Sequence, residues 1–236
     1  MLTNKIIPLI EKGEGKPLIF LHGFMCSKEY FASQINYFSR YFKVIAYDLY
    51  GFGENLPKDG AYDLSNYANE FYQVASAYGN SVNVVAHSFG CRVILKSALE
   101  YDIIDKAVLC GVAGLKPAFS VKKFVKRSVY RAIGPFFEKS KAEKLFFSKD
   151  YNMLKEPMKQ TFKQVTSEYL DAVLPQIKFS TLAVFGDKDD QTPPKIANKM
   201  ITKIPDCGKY IMKDCGHFCF AERPAEFNNV VREFLL

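Results

Sequence analysis

A chain of 236 residues with 48% hydrophobic and 24% charged side chains is long enough to bury a sizeable core and too apolar to stay disordered. Fourteen glycines and eleven prolines exclude a collagen-like repeat or a long low-complexity linker, and no window of about 18 apolar residues is available to cross a bilayer. The net charge of +7 is uneven, because residues 115–165 hold thirteen Lys or Arg against four Asp or Glu, so that this segment carries +9 and the rest of the chain −2.

The first residues, MLTNKIIPLIEKGEGK, meet Glu11 and Lys12 before an apolar export signal can form, which points to an unexported, cytoplasmic protein. PLIFLH (17–22) is a short apolar run ending in a turn at Gly23, the pattern of a strand buried on both faces. Similar runs follow at FKVIAYD (42–48), VNVVAH (82–87), KAVLCGVAG (106–114), TLAVFGD (181–187) and GKYIMKD (208–214). Between them, residues 28–40, 63–79, 89–101, 193–203 and 221–235 space their apolar side chains three or four apart, and Asp63, Pro193 and Pro224 stand where helices begin. Only about sixteen residues precede the run at 17–22, leaving room for no more than a rudimentary edge strand ahead of it.

Strand and helix in alternation predict an α/β fold, a mostly parallel sheet covered by helices on both faces. Such sheets bind ligands at the carboxyl ends of their strands. That rule gathers His22 to Met25, Asp48 to Gly53, Ser88, Gly111 to Leu115, Asp187 to Thr192 and Gly216 to Phe218 along one edge. The alternation breaks after Gly114, where SVKKFVKRSVYRAIGPFF puts Val121, Val125, Val129, Ala132 and Phe136 on one helical face and Lys122, Lys123, Lys126, Arg127 and Arg131 on the other. The expected organisation is a core of residues 1–114, a helical cap insertion of 115–165, and the remainder of the core in 166–236.

Ala86-His87-Ser88-Phe89-Gly90 lies where a buried strand gives way to a helix. A serine in such a tight turn needs small neighbours on either side, and Ala86 and Gly90 supply them. A serine hydroxyl is a weak nucleophile at neutral pH and needs a base in hydrogen-bond reach, with a third group to orient that base. His217 follows the last predicted strand, whereas His22 and His87 flank the serine and read as structural groups. Asp187, Asp189 and Asp190 end another strand and offer three carboxylates, giving the chain order Ser, Asp, His.

Five separated motifs together resemble the α/β-hydrolase fold with a helical cap: Leu21-His22-Gly23-Phe24, Asp48-Leu49-Tyr50-Gly51-Phe52-Gly53, Ala86 to Gly90, Gly186-x-x-Asp189, and Gly216-His217. The resemblance implies a carboxylesterase-like serine hydrolase in which Ser88 attacks a carbonyl carbon, His217 takes its proton, and Asp189, three residues after its glycine, orients the imidazole. It implies backbone N–H groups of Phe24 and Phe89 as the oxyanion hole. Gly23, Met25 and Phe218, beside these motifs, are the expected substrate contacts. Two features depart from the family pattern: Ala86 replaces the first elbow glycine, and Glu54 stands where a serine often follows the second glycine of the Asp48 loop.

The expected partner is a small-molecule acyl substrate, with no cofactor and no metal. Six scattered cysteines with no export signal read as reduced thiols, and Cys215-x-His217-x-Cys219 has no second cluster to complete a zinc site. No nucleic-acid-binding motif accompanies the basic segment, whose charge reads as a solvated outer face, with attraction of anionic substrates or lipid headgroups as the alternative. The same motif set leaves open a thioesterase, a carbon–carbon bond hydrolase, or a hydrolase-like small-molecule receptor. Composition and motifs leave the oligomeric state open.

Overall fold

The computed structural model describes residues 7–57, 60–116 and 149–236. Among them, seven strands form one sheet in the order β1-β3-β2-β4-β5-β6-β7. These are β1 (Leu9–Lys12), β2 (Pro17–Leu21), β3 (Lys43–Tyr47), β4 (Val82–His87), β5 (Ile104–Cys110), β6 (Ser180–Gly186) and β7 (Cys207–Met212). β1 is the rudimentary edge strand, antiparallel to β3, and every other pairing is parallel.

Alternation along β2 divides the core. Leu18 and Phe20 join one apolar cluster and Ile19 and Leu21 the other, and neither set is exposed at all. The cluster on the first face is closed by α1 (Ala32–Phe38), the short α7 (Cys219–Glu222) and α8 (Pro224–Leu235). The opposite face is covered by α2 (Leu64–Ser76), α3 (Phe89–Glu100) and α6 (Lys195–Lys203). Helix α2 starts at a reciprocal cap: the Asp63 carboxylate accepts the Asn66 N–H, and Asn66 Oδ1 accepts the Asp63 N–H.

Several predicted boundaries shift for local reasons. The expected helix at 221–235 breaks at Arg223 (φ −133°, ψ 67°), because Pro224 disfavours helical backbone in the residue before it. The stretch expected as a helix at 28–40 opens as a 3₁₀ turn, Lys28–Phe31, before α1. β5 begins two residues early and stops at Cys110, where Gly111 takes φ +56°. In the segment expected as a cap, α4 (Lys149–Met153) and α5 (Met158–Ser167) are helical, and α5 runs two residues past the expected boundary at 165. The expected helix faces at 121–136 lie outside the described residues.

Candidate active site

Ser88 links β4 to α3 with φ 50° and ψ −105°, a left-handed conformation that a side-chain-bearing residue adopts only under constraint. The constraint comes from both sides. Ser88 N–H donates to Cys110 O on the neighbouring strand (2.9 Å), and α3 packs against the end of β2 so closely that a Cβ at Gly90 would lie 2.5 Å from Leu21 O and 2.9 Å from His22 O. Ala86, fully buried, sits between Leu21 and Leu109 in the sheet register. The strained turn presents Ser88, which is only half-buried, beyond the carboxyl ends of the strands.

The ends of β6 and β7 supply a carboxylate and an imidazole. His217 Nδ1 lies 2.8 Å from Asp189 Oδ2, and both residues are buried. A Cβ at Gly186 would fall 2.2 Å from Cys215 O, so the glycine three residues before Asp189 is what lets the acid loop lie against the histidine loop. The Lys188 N–H then donates to Cys215 O (2.9 Å) and the Asp187 carboxylate accepts the Cys215 N–H (3.3 Å), which turns Asp187 away from the ring. Asp190 is exposed.

Asp189 has a further partner that no motif announced. Thr192 Oγ1 donates to Asp189 Oδ2 (2.7 Å) and lies 3.2 Å from His217 Nδ1, while the Gln191 and Thr192 N–H groups donate to Asp189 Oδ1 (both 2.9 Å). Burial pushes the Asp189 carboxyl up, but the hydrogen bonds from His217 and Thr192 outweigh it and hold the pKa below its ordinary value. The carboxylate is therefore ionised at neutral pH. The available sequence signal was the Asp-x-x-Thr spacing, which suits a carboxylate that accepts hydrogen bonds from residues two and three positions on.

Ser88 Oγ makes no hydrogen bond to His217 among the described residues, although the two side chains share neighbours. The His87 ring stands 4.7 Å from the His217 ring, and a Cβ at Gly23 would meet His87 Nδ1 at 2.8 Å and Ser88 Cβ at 3.4 Å. His87 Nε2 donates to His217 O (3.0 Å), so this second imidazole braces the loop that carries the first. Burial pushes the His87 pKa down to about 3. His22 is likewise lowered by burial, with Nδ1 donating to Gly23 O (2.7 Å) and Nε2 accepting the Leu49 N–H (3.0 Å), a neutral ring tying the Gly23 loop to the Asp48 loop.

The Asp48 loop contains an ion cluster that the sequence concealed. Asp48 Oδ2 accepts from the Lys28 ammonium (2.8 Å) and from the Glu54 N–H (2.9 Å), and Asp48 Oδ1 accepts from the Lys28 N–H (2.7 Å). The Glu54 carboxylate at 2.6 Å and the Glu29 carboxylate at 3.1 Å also meet Lys28 Nζ, which gives a role to Glu54, the residue that departs from the family pattern. Held in this way, the loop sets Phe52 against Phe24 (ring centroids 4.8 Å apart), and Phe24 also packs on Phe89 (5.5 Å) and on Phe162 of α5 (5.2 Å). Phe24 and Phe89 thus lie side by side. Met25 follows at φ 58° and is partly exposed, and Phe218 packs between His87 (4.9 Å) and Tyr30 (5.9 Å).

A sequence model described as the alpha/beta hydrolase family matches residues 18–230. A 2-hydroxy-6-oxo-6-(2'-aminophenyl)hexa-2,4-dienoic acid hydrolase of Metapseudomonas resinovorans is 24% identical over 96% of this chain and 86% of its own length. Lipase 1 of Psychrobacter immobilis is 27% identical over 88% of this chain and 73% of its own. A thermophilic esterase of Thermogutta terrifontis superposes with a TM-score of 0.74 at 21% identity, covering 97% of this chain and 92% of the other. A family match that begins in β2 and ends in α8 takes in six of the seven strands and each of the five motifs, and the chain belongs to the alpha/beta hydrolase family.

Proposed function

We propose that the protein is a serine hydrolase that cleaves a small carboxylic ester through an acyl-enzyme. Ser88 Oγ attacks the carbonyl carbon as its proton passes to His217 Nε2, and Asp189 holds the opposite ring nitrogen protonated and stabilises the imidazolium that forms. The tetrahedral oxyanion is met by the N–H groups of Phe24 and Phe89, the second of these opening α3, whose N-terminal dipole favours negative charge. Collapse expels the alcohol with the proton from His217. Water, activated by the same imidazole, then hydrolyses the ester on Ser88 and restores the hydroxyl. Thr192 keeps the Asp189 carboxylate ionised and in place throughout.

The observation that carries this reading is the strained Ser88 turn beside a buried Asp189–His217 pair, an arrangement with a structural cost and no other evident use. The proposed cap, 115–165, is supported by α5, whose Phe162 rests on Phe24. One neighbouring activity also has support. The Metapseudomonas relative is a dienoic acid hydrolase by name and is similar over nearly the whole chain, so cleavage of a carbon–carbon bond by the same three residues is the second reading.

The test is turnover of p-nitrophenyl acyl esters of increasing chain length by wild type and Ser88→Ala. Multiple turnover that falls roughly 10⁴–10⁶-fold in Ser88→Ala, with folding intact, is the expected result. Equal rates in the two proteins would overturn the assignment of the nucleophile. Failure of every ester alongside Ser88-dependent cleavage of a dienol ketone would favour the second reading.

A further inference from the structure

A cavity of about 800 Å³ opens beside the triad, between the end of β5 and the start of α6. It shares Thr192 with the Asp189–His217 pair, and its wall includes Val112 and Ala113, whose chain runs on from the Gly111 turn against the His217 ring. This volume lies in the range of small-molecule sites. Among the described residues the charges around it are unbalanced: Arg92, Lys116, Lys195 and Lys199 face Asp171 and Asp190.

The four cations are not equivalent. Lys199 is spent on structure, with Nζ donating to Asp171 Oδ1 (2.6 Å) and to Lys116 O (2.9 Å). Asp171 is thereby neutralised, and its other oxygen accepts the Lys116 N–H (2.8 Å). Arg92, 7% exposed, uses Nη1 on the carbonyls of Val165 and Glu168 (2.7 Å to the latter), leaving its other N–H donors without a hydrogen bond among the described residues. The ammonium groups of Lys116 and Lys195 have no ion-pair partner among the described residues either. Lys195 opens α6, so the positive end of that helix adds to the same field. Among the described residues, three cationic groups without a carboxylate partner, Arg92 with part of its donor set still free, therefore face one exposed carboxylate, Asp190, across a cavity that adjoins the reacting centre. Next to Ser88, Phe89 joins an aromatic group with Phe24, Phe52 and Phe162, none of which lines this cavity.

We infer that this cavity is an anion subsite, which takes a carboxylate or phosphate group carried by the substrate at the end remote from its apolar part. That the anionic group belongs to a substrate rests on the hydrolase reading above, whereas the anion site itself does not. Arg92 offers a planar donor fork fixed by burial, and Lys116 and Lys195 add charge that can follow the ligand. Recognition by cations in a partly enclosed pocket weakens as salt rises and is lost when the anionic group is replaced by a neutral isostere.

The Ser88→Ala protein, which does not consume ligand, is titrated by calorimetry with adipate, with inorganic phosphate and with neutral adipamide. Saturable binding of adipate or phosphate, weakened at least tenfold by Lys195→Glu and by raised salt, with no binding of adipamide, is the expected result, and the stronger of the two anions names the group. Both Lys116 and Lys195 are exposed, so their charge reversals are compatible with folding, which thermal melting checks. In parallel, the ratio of kcat/KM for p-nitrophenyl hydrogen adipate to that for p-nitrophenyl hexanoate should fall at least tenfold in Lys195→Glu. Absence of anion binding, or binding indifferent to both Lys116→Glu and Lys195→Glu, overturns the subsite whatever the esters do. Anion binding without turnover of either ester upholds the subsite and counts against the hydrolase reading alone.

Discussion

Replacing Lys28 by methionine tests how the Asp48 loop is held. Asp48 has no exposed surface and Lys28 only 4%, so the substitution keeps the bulk of the stem but strips a fully buried carboxylate of its cation. Breaking a buried pair from one side costs about 3–5 kcal/mol, because the remaining charge stays desolvated. For a chain of this size the corresponding drop in melting temperature is roughly 6–20 °C. The loss should depend on pH. Burial raises the Asp48 pKa, but the hydrogen bonds from Glu54 and Lys28 outweigh it and hold the carboxyl below its ordinary value, so its stabilisation is present above about pH 4 and fades as pH falls through the folded value. Burial pushes Lys28 the other way, yet its bonds to Asp48, Glu54 and Glu29 hold it above its ordinary value, so its share persists up to about pH 10 and is lost above that. Urea unfolding of wild type and Lys28→Met at pH 7, and again below the carboxylate range, gives the comparison. A destabilisation below about 1 kcal/mol at pH 7, or an equal loss at both pH values, would refute the reasoning. Turnover should fall with stability, since the loop positions Phe52 against Phe24.

Three further outcomes follow from the same geometry. Asp189→Asn should lower ester turnover roughly 10⁴-fold while Asp190→Asn stays near wild type, as read by kcat on a p-nitrophenyl ester; the reverse pattern would relocate the acid. Gly90→Ala should cost about 1–3 kcal/mol in urea unfolding, because its Cβ meets the Leu21 and His22 carbonyls, and turnover should drop as those carbonyls shift the Gly23-Phe24 loop. His87 stays neutral in the folded protein down to about pH 3, while the unfolded chain protonates it near pH 6.5, so stability should fall on acidification across that window by up to about 1.4 kcal/mol per pH unit. His87→Gln should flatten the slope measured between pH 7.5 and pH 5.

The parts of the molecule that were legible in the sequence are those encoded locally. Five-residue apolar runs reveal strands because burial on both faces excludes polar residues from them, and the elbow at Ser88 is visible because crowding against β2 leaves room only for small neighbours. The carboxylate was different. Asp187, Asp189 and Asp190 have the same chemistry within four positions, and only the approach of the Cys215 loop to Gly186 separates the one that meets His217 from the one that holds the Cys215 N–H. Lys28 was hidden for a stronger reason. A lysine at the start of a helical stretch reads as a solvated charge, and its partners Asp48 and Glu54 lie 20 and 26 residues away, in a loop whose path no periodicity describes. Glu54, the residue out of pattern, was the one visible trace of that cluster.

The Leu170 N–H donates to Gly114 O across 2.9 Å, so the chain leaves the sheet and returns to it at almost the same point. A detour whose two ends already touch places little demand on its own length, since β5 and β6 pair directly whatever lies between them. The closure of the core therefore depends little on the length of the stretch between these ends, although α5 buries Met158 and Val165 in the core and has to be kept. If the segment sets substrate preference, as the proposed cap requires, a library of segments grafted between Lys116 and Lys149 should change which esters are cleaved while the sheet stays unaltered.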